Sequence, residues 1–144
     1  MASSFSPEYA GDISATETWN RLTADPNAQL VDVRTLAEWN FVGLPDLSSL
    51  GRQVHCIEWQ GFPTGDRNPG FVTEAGEALK DKDAPVFLLC RSGARSRAAA
   101  IALTQAGFRQ AFNVAGGFEG DHDQDGHRGS RNGWKAENLP WRQG

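Results

Sequence analysis

Ala84-Pro85-Val86-Phe87-Leu88-Leu89-Cys90-Arg91-Ser92-Gly93-Ala94-Arg95-Ser96-Arg97-Ala98-Ala99-Ala100 is the stretch whose reading decides the fold. Val86 to Leu89 is an apolar run of strand length. A cysteine stands where it stops. A polar segment with one glycine follows, and then Ala98 to Leu103, rich in the best helix former. A strand, a short loop and a helix start aim backbone N–H groups and the positive end of the helix dipole at one point. Cys90 at that point is expected to be reactive, with its thiolate favoured. Arg91, Arg95 and Arg97 lie close by, and no acid falls between Asp83 and Glu119. A buried structural cysteine would need none of this cation-rich, acid-free sequence. A thiol sealed off from solvent would count against the reactive reading.

The chain has 144 residues, enough for one compact domain. Fourteen Lys and Arg against eighteen Asp and Glu leave a net charge of −4. An acidic chain is a poor candidate for nucleic-acid binding. The positive charge near Cys90 is therefore local, and suited to a small anion. Two cysteines, Cys56 and Cys90, make no disulfide framework. No apolar run approaches the ~20 residues that span a bilayer, and the N-terminus lacks the pattern of a secretory signal. A reducing cytoplasm is the expected compartment, with no membrane and no nucleic acid among the partners.

The remaining elements follow from local signals. Residues 1–8 read as a flexible leader, and Tyr9 to Ile13 as a short edge strand. Ser14-Ala15-Thr16-Glu17 is a capping box opening a helix that turns Trp19 and Leu22 inward and stops before Asp25-Pro26-Asn27. Gln29 to Val33 reads as a buried strand, and Thr35 to Glu38 as a second capping box. Val54 to Trp59 is a strand candidate that makes His55 and Cys56 core residues. Asn68-Pro69 opens a helix with the stripe Phe71, Val72, Ala75 and Leu79. Gly107 stands at a helix C-terminus and Ala111 to Val114 is the last strand. Apolar strands alternating with helices imply a mainly parallel sheet of about five strands, covered by helices on both faces. In such sheets ligands bind beyond the carboxyl ends of the strands, where Cys90 lies.

Three segments carry a family resemblance. Cys90-Arg91-Ser92-Gly93-Ala94-Arg95-Ser96 resembles the active-site loop of rhodanese-like sulfurtransferases. Leu30-Val31-Asp32-Val33-Arg34 with Glu38-Trp39 is similar to the family's upstream signature, and Asn113-Val114-Ala115-Gly116-Gly117-Phe118 to its closing segment. Order and spacing are kept from Ile13 to Phe118. Leu44-Pro45-Asp46 departs from the family's His-Ile-Pro-Gly-Ala pattern. The resemblance implies a rhodanese-like α/β domain over 9–119; residues 120–144 lie beyond it and are expected to form an extension packed on the same domain. It implies transfer of sulfane sulfur through a Cys90 persulfide, from a small anionic donor such as thiosulfate to a thiol, protein or cyanide acceptor. Arg91, Ser92, Gly93, Ala94, Arg95 and Ser96 then bind substrate, and Asp32 and Arg34 support them. Arg95 either faces the donor or pins the loop through Asp32 or Glu38. Arg34 either pairs with Glu38 or lies near the pocket, and Asp32 hydrogen-bonds backbone or Arg34. Ser92 stands where some thiosulfate-preferring relatives carry a second basic residue, which leaves the donor open.

Two rivals share the scaffold: a phosphatase or arsenate reductase, and a non-catalytic binding module. Phosphatase-type loops place five residues between Cys and Arg; here there are four. No cofactor and no metal is assigned. Asp121, Asp123 and Asp125 before Gly126 look like the start of a calcium loop, but Asn132 replaces the closing acid, and a solvated turn is the expectation. Trp134, Leu139, Pro140 and Trp141 are expected to fold the tail back on the domain. His122 and His127 could reach over the pocket. Oligomeric state is not readable.

Overall fold

A computed structural model describes residues 8–61 and 64–143. The leader expected over 1–8 therefore lies outside the described residues except for Glu8. Strands are β1 (Gly11–Ile13), β2 (Gln29–Asp32), β3 (Leu44–Pro45), β4 (His55–Cys56), β5 (Val86–Leu89), β6 (Ala111–Val114) and β7 (Trp141–Arg142). Helices are α1 (Ala15–Ala24), α2 (Leu36–Phe41), α3 (Phe71–Leu79) and α4 (Ala94–Gln105).

Five strands form one parallel sheet in the order β1-β6-β5-β2-β4. β5 is its central strand, and all four of its residues are buried. Its side chains alternate between two cores, as the period of two requires. Val86, Leu88 and Cys90 join Phe71, Ala75, Leu79, Ala99, Ala100 and Leu103 of α3 and α4. Phe87 and Leu89 join Leu22 of α1, Phe118 and Trp134. Helices thus cover both faces. Trp134 is fully buried, meets Trp19 edge to face at 6.0 Å, and donates from Nε1 to the Pro140 carbonyl at 2.7 Å. β7 pairs antiparallel with β3, setting Trp141 opposite Pro45. The segment that departs from the family pattern is thereby the strand on which the tail docks, and a 3₁₀ turn over Ser48–Leu50 follows it.

Several local expectations hold in detail. Ser14 Oγ accepts from the Glu17 amide at 3.0 Å, and Thr35 with Glu38 completes a reciprocal capping box. Others shift. Only His55 and Cys56 of the 54–59 stretch pair with β2, because Ile57 and Trp59 turn away into the α3 core while their amides still reach Asp32 and Val33. Cys56, expected in the core, is exposed at this sheet edge. The helix expected from Asn68 begins at Phe71 instead. The Asn68 side chain is taken by the Gly70 amide, the Glu58 carbonyl and Glu74, so it organises the turn before the helix rather than its cap.

Candidate functional site

Cys90 follows the last residue of β5, and three residues separate it from the start of α4 at Ala94. The turn between them is made by Gly93, at φ +116°. A side chain there would sit on the Ala115 carbonyl oxygen, so this position demands glycine on two counts. The amide of Gly93 donates to Cys90 Sγ at 3.1 Å, and Ser96 Oγ, in the first turn of α4, lies 3.2 Å from the same sulfur. Cys90 is only 1% exposed. The sulfur is therefore not open at the strand end. This burial runs against the expectation of a thiol open to solvent, although Arg91 and Ala94 of the same loop are exposed.

The closing segment holds this loop from below. Phe118 donates its amide to the Cys90 carbonyl at 2.8 Å, and Glu119 and Gly120 donate to the Arg91 carbonyl at 2.9 and 3.1 Å. Gly117 makes this approach possible: at φ +62°, a Cβ would lie 2.6 Å from the Cys90 carbonyl oxygen. Sequence comparison with the family locates the Gly-Gly pair; only the fold shows that it is the platform for the cysteine loop.

Arg95 does not face outward as a free cation. Its Nη1 and Nη2 donate to the two carboxylate oxygens of Glu38 at 2.7 and 3.0 Å, a bidentate pair. Of the two jobs left open for Arg95, the geometry is that of the pin, joining the start of α4 to α2. Burial opposes the charge on Glu38, but Arg95, the Thr35 amide and Arg34 outweigh it and hold the carboxyl below its usual range. Glu38 in turn raises the pKa of Arg95 further.

Arg34 pairs with Asp32 rather than Glu38. Both side chains are fully buried, with Nη2 2.7 Å from Oδ2. Nη2 also donates to the Gly43 carbonyl at 2.6 Å, and the guanidinium lies 4.3 Å from the centre of the Phe118 ring. The one nitrogen without a hydrogen-bond partner, Nη1, thus belongs to a group stacked on an aromatic face. The pair ties β2 to the α2–β3 turn and to the closing segment. It braces the walls of the site and is not itself at the sulfur.

A cavity of about 600 Å³ opens above the loop. Arg91, Arg95, Glu38, Phe41, Glu119 and Arg128 are among its lining residues. Arg128 and Glu119 escaped the sequence reading, because nothing in their local sequence marks them. Arg128 is turned in by a hydrogen bond from Nη1 to the Gly120 carbonyl at 2.6 Å. His122 and His127 do not line this cavity. Asp123 is spent on its own loop: it accepts from the amides of Asp125 and His127 and from Ser130 Oγ, and these bonds, Ser130's foremost, bring its carboxyl down to about 2. The solvated-turn expectation matches this arrangement.

Cys56 stands apart. It pairs in register with Asp32 of β2, whose other neighbour in register is Leu89. Two strand spacings therefore separate it from the Cys90 region, about 10 Å, beyond disulfide reach. Although the residue is exposed, its thiol is pushed up to about 11, first by partial burial against its neighbours and then by Asp32.

This strand–cysteine loop–helix arrangement on a five-stranded parallel sheet defines the rhodanese-like class, which the relatives bear out. The family described as STR4 middle domain matches residues 10–144. Among solved structures, Rv0390 from M. tuberculosis superposes with a TM-score of 0.84 at 52% identity, covering 94% of this chain and 99% of that one. A polysulfide-sulfur transferase homodimer from Wolinella succinogenes shares the fold at a TM-score of 0.62 and 22% identity, over 92% of this chain and 78% of that one. An uncharacterized protein of Rickettsia rickettsii is 38% identical over 131 residues, 90% of this chain and 95% of its own length. Rhodanese-like domain-containing protein 4, chloroplastic, of Arabidopsis thaliana is 28% identical over 136 residues; the match spans 94% of this chain but 26% of that protein. The chain belongs to the rhodanese-like family, and within it to the STR4 middle domain group. Among the described residues no helix is long and apolar enough to cross a membrane.

Proposed function

We propose that the protein is a sulfurtransferase that carries sulfane sulfur as a Cys90 persulfide. Deprotonated Sγ attacks the outer sulfur of a donor such as thiosulfate. An Sγ–S bond forms, the donor S–S bond breaks, and sulfite leaves with the electron pair. An acceptor thiolate then attacks the outer sulfur and Cys90 leaves as thiolate; cyanide in the same place yields thiocyanate. Two half-reactions through one covalent intermediate predict ping-pong kinetics.

The observation that carries this reading is the convergence of the Gly93 amide and Ser96 hydroxyl on Sγ, at 3.1 and 3.2 Å, where β5 meets the N-terminus of α4. The Gly93 amide so placed stabilises negative charge developing on sulfur, and the Ser96 hydroxyl stands within reach of that charge once it forms. Arg91 is the exposed cation over the loop, and Arg128 lines the same cavity. We assign these two to the anionic donor, Arg128 standing in for the basic residue that Ser92 replaces. Asp32, Arg34 and Arg95 act as braces. With Cys90 1% exposed, the loop must open before a donor reaches the sulfur. Against phosphate-ester chemistry, the arginine that would grip phosphate is already bound bidentate by Glu38. Two free cysteines suit a reducing cytoplasm, where the thiol is readily restored.

Mass spectrometry after exposure to thiosulfate tests the reading. The wild type should gain one sulfur, ~32 Da, and Cys90→Ser none. Hydrolysis of a phosphate ester without sulfur uptake would overturn it.

A further inference from the structure

Ser96 Oγ lies not only 3.2 Å from Cys90 Sγ but also 2.6 Å from Asn113 Oδ1. A hydroxyl has one proton, so it can donate to only one of them. What decides between them lies at the sheet edge. Asp12 of β1 stands opposite Asn113 of β6 in the parallel register, and Asn113 Nδ2 donates to Asp12 Oδ1 at 3.0 Å. An ionised carboxylate only accepts, so Asn113 must present its NH₂ group to Asp12 and its carbonyl oxygen to Ser96. Tyr9 holds Asp12 from the other side, donating from its hydroxyl to Oδ1 at 2.9 Å, and Arg97 Nε donates to Tyr9 at 3.2 Å. Every donor in the chain is thereby oriented, from solvent to within two side chains of the sulfur.

We infer that Asp12 and Asn113 are positioning residues that hold the Ser96 proton away from Cys90 Sγ. Ser96 then turns lone pairs toward the sulfur. That suits a neutral Sγ, whether thiol or the inner atom of a persulfide. When Sγ becomes an anion, the Ser96 hydroxyl must swing to it and abandon the buried Asn113 carbonyl oxygen. The relay therefore favours the loaded cysteine over the bare anion. Ser96 and Asn113 are 0% and 3% exposed, so no bulk water replaces the lost bond freely, whereas Asp12 is exposed and can be changed without opening the core.

The inference deepens the sulfur-transfer reading, but its test does not need sulfur transfer. Iodoacetamide alkylation of Cys90 is followed at fixed pH in a Cys56→Ser background, so that one thiol reports. Asp12→Ala frees the Asn113 amide to turn over and offer its NH₂ group to Ser96, whose proton then points at the sulfur. Alkylation should quicken about three- to tenfold, the worth of one redirected hydrogen bond. In Ser96→Ala, adding Asp12→Ala should change the rate less than about twofold, the non-additivity of residues acting through one another. Simple loss of the Asp12 charge would quicken both backgrounds equally, so an equal rise in both overturns the inference, as does no rise in the first. Failure of the wild type to take up sulfur, with this cycle intact, would sink the proposed function and leave the relay standing.

Discussion

Glu38 ties the start of α4 to α2 through an ion pair that depends on its charge. It caps α2 with Thr35 and binds both terminal nitrogens of Arg95, with the two side chains 19% and 22% exposed. Its folded-state pKa lies below the ordinary 4.5. Stabilisation by the pair is therefore complete above that value and is lost as the pH falls through the lower, folded-state one. Glu38→Gln keeps the length and the cap but removes the charge. Urea unfolding at neutral pH should show it less stable by about 1–2 kcal/mol, and the gap to wild type should close in acid. A gap that persists unchanged below the folded-state pKa would mean that packing, not charge, is what Glu38 contributes.

At the scale of elements, the join between β5 and α4 is the demanding one. Gly93 combines a positive φ with a backbone approach to Ala115, so the strand end, the helix start and the closing segment are fitted to each other at one Cα. Gly93→Ala should cost about 1–3 kcal/mol and lower the melting temperature by several degrees, measured by calorimetry. The loss should exceed that of Gly76→Ala, where nothing lies within 4 Å of an added methyl group in the middle of α3. There alanine is the better helix former, and stability should hold or rise slightly.

Over the whole molecule, the extension beyond Gly120 is drawn into the fold at three places. Trp134 fills the α1-side core, Glu137 Oε1 accepts from the Thr16 amide and hydroxyl at 2.8 and 2.6 Å, and β7 pairs with β3. The chain between Gly120 and Trp134 is thereby led past the cysteine loop, where Arg128 enters the cavity wall. With Arg128 as a cation for the donor, Arg128→Ala should raise KM for thiosulfate about tenfold, the loss of one charge-assisted contact, while kcat stays near that of wild type. An unchanged KM would return the donor charge to Arg91 alone.

How much of this could be read beforehand depends on whether the cause is local. The apolar run Val86 to Leu89, the Ala-rich helix, the Ser14 cap, the Thr35–Glu38 capping box and the cysteine between strand and helix are short-range features, so the parallel α/β fold and the position of Cys90 follow from the chain itself. The pairings were decided only in three dimensions. Arg95 could have met Asp32 or Glu38, and it met Glu38, whose carboxylate faces the start of α4 while Asp32 is taken by Arg34. Asp12 carries no local mark and Asn113 only its place in the closing segment; they meet because β1 and β6 are neighbours in register despite 100 residues between them. Arg128 sits in an Asp- and Gly-rich stretch that reads as solvated turn, and joins the site because Trp134 buries itself farther on. Hydrophobic periodicity and turn chemistry act between near neighbours and are written in sequence; which polar groups face each other across the sheet is set by register and burial, which exist only once the chain has folded.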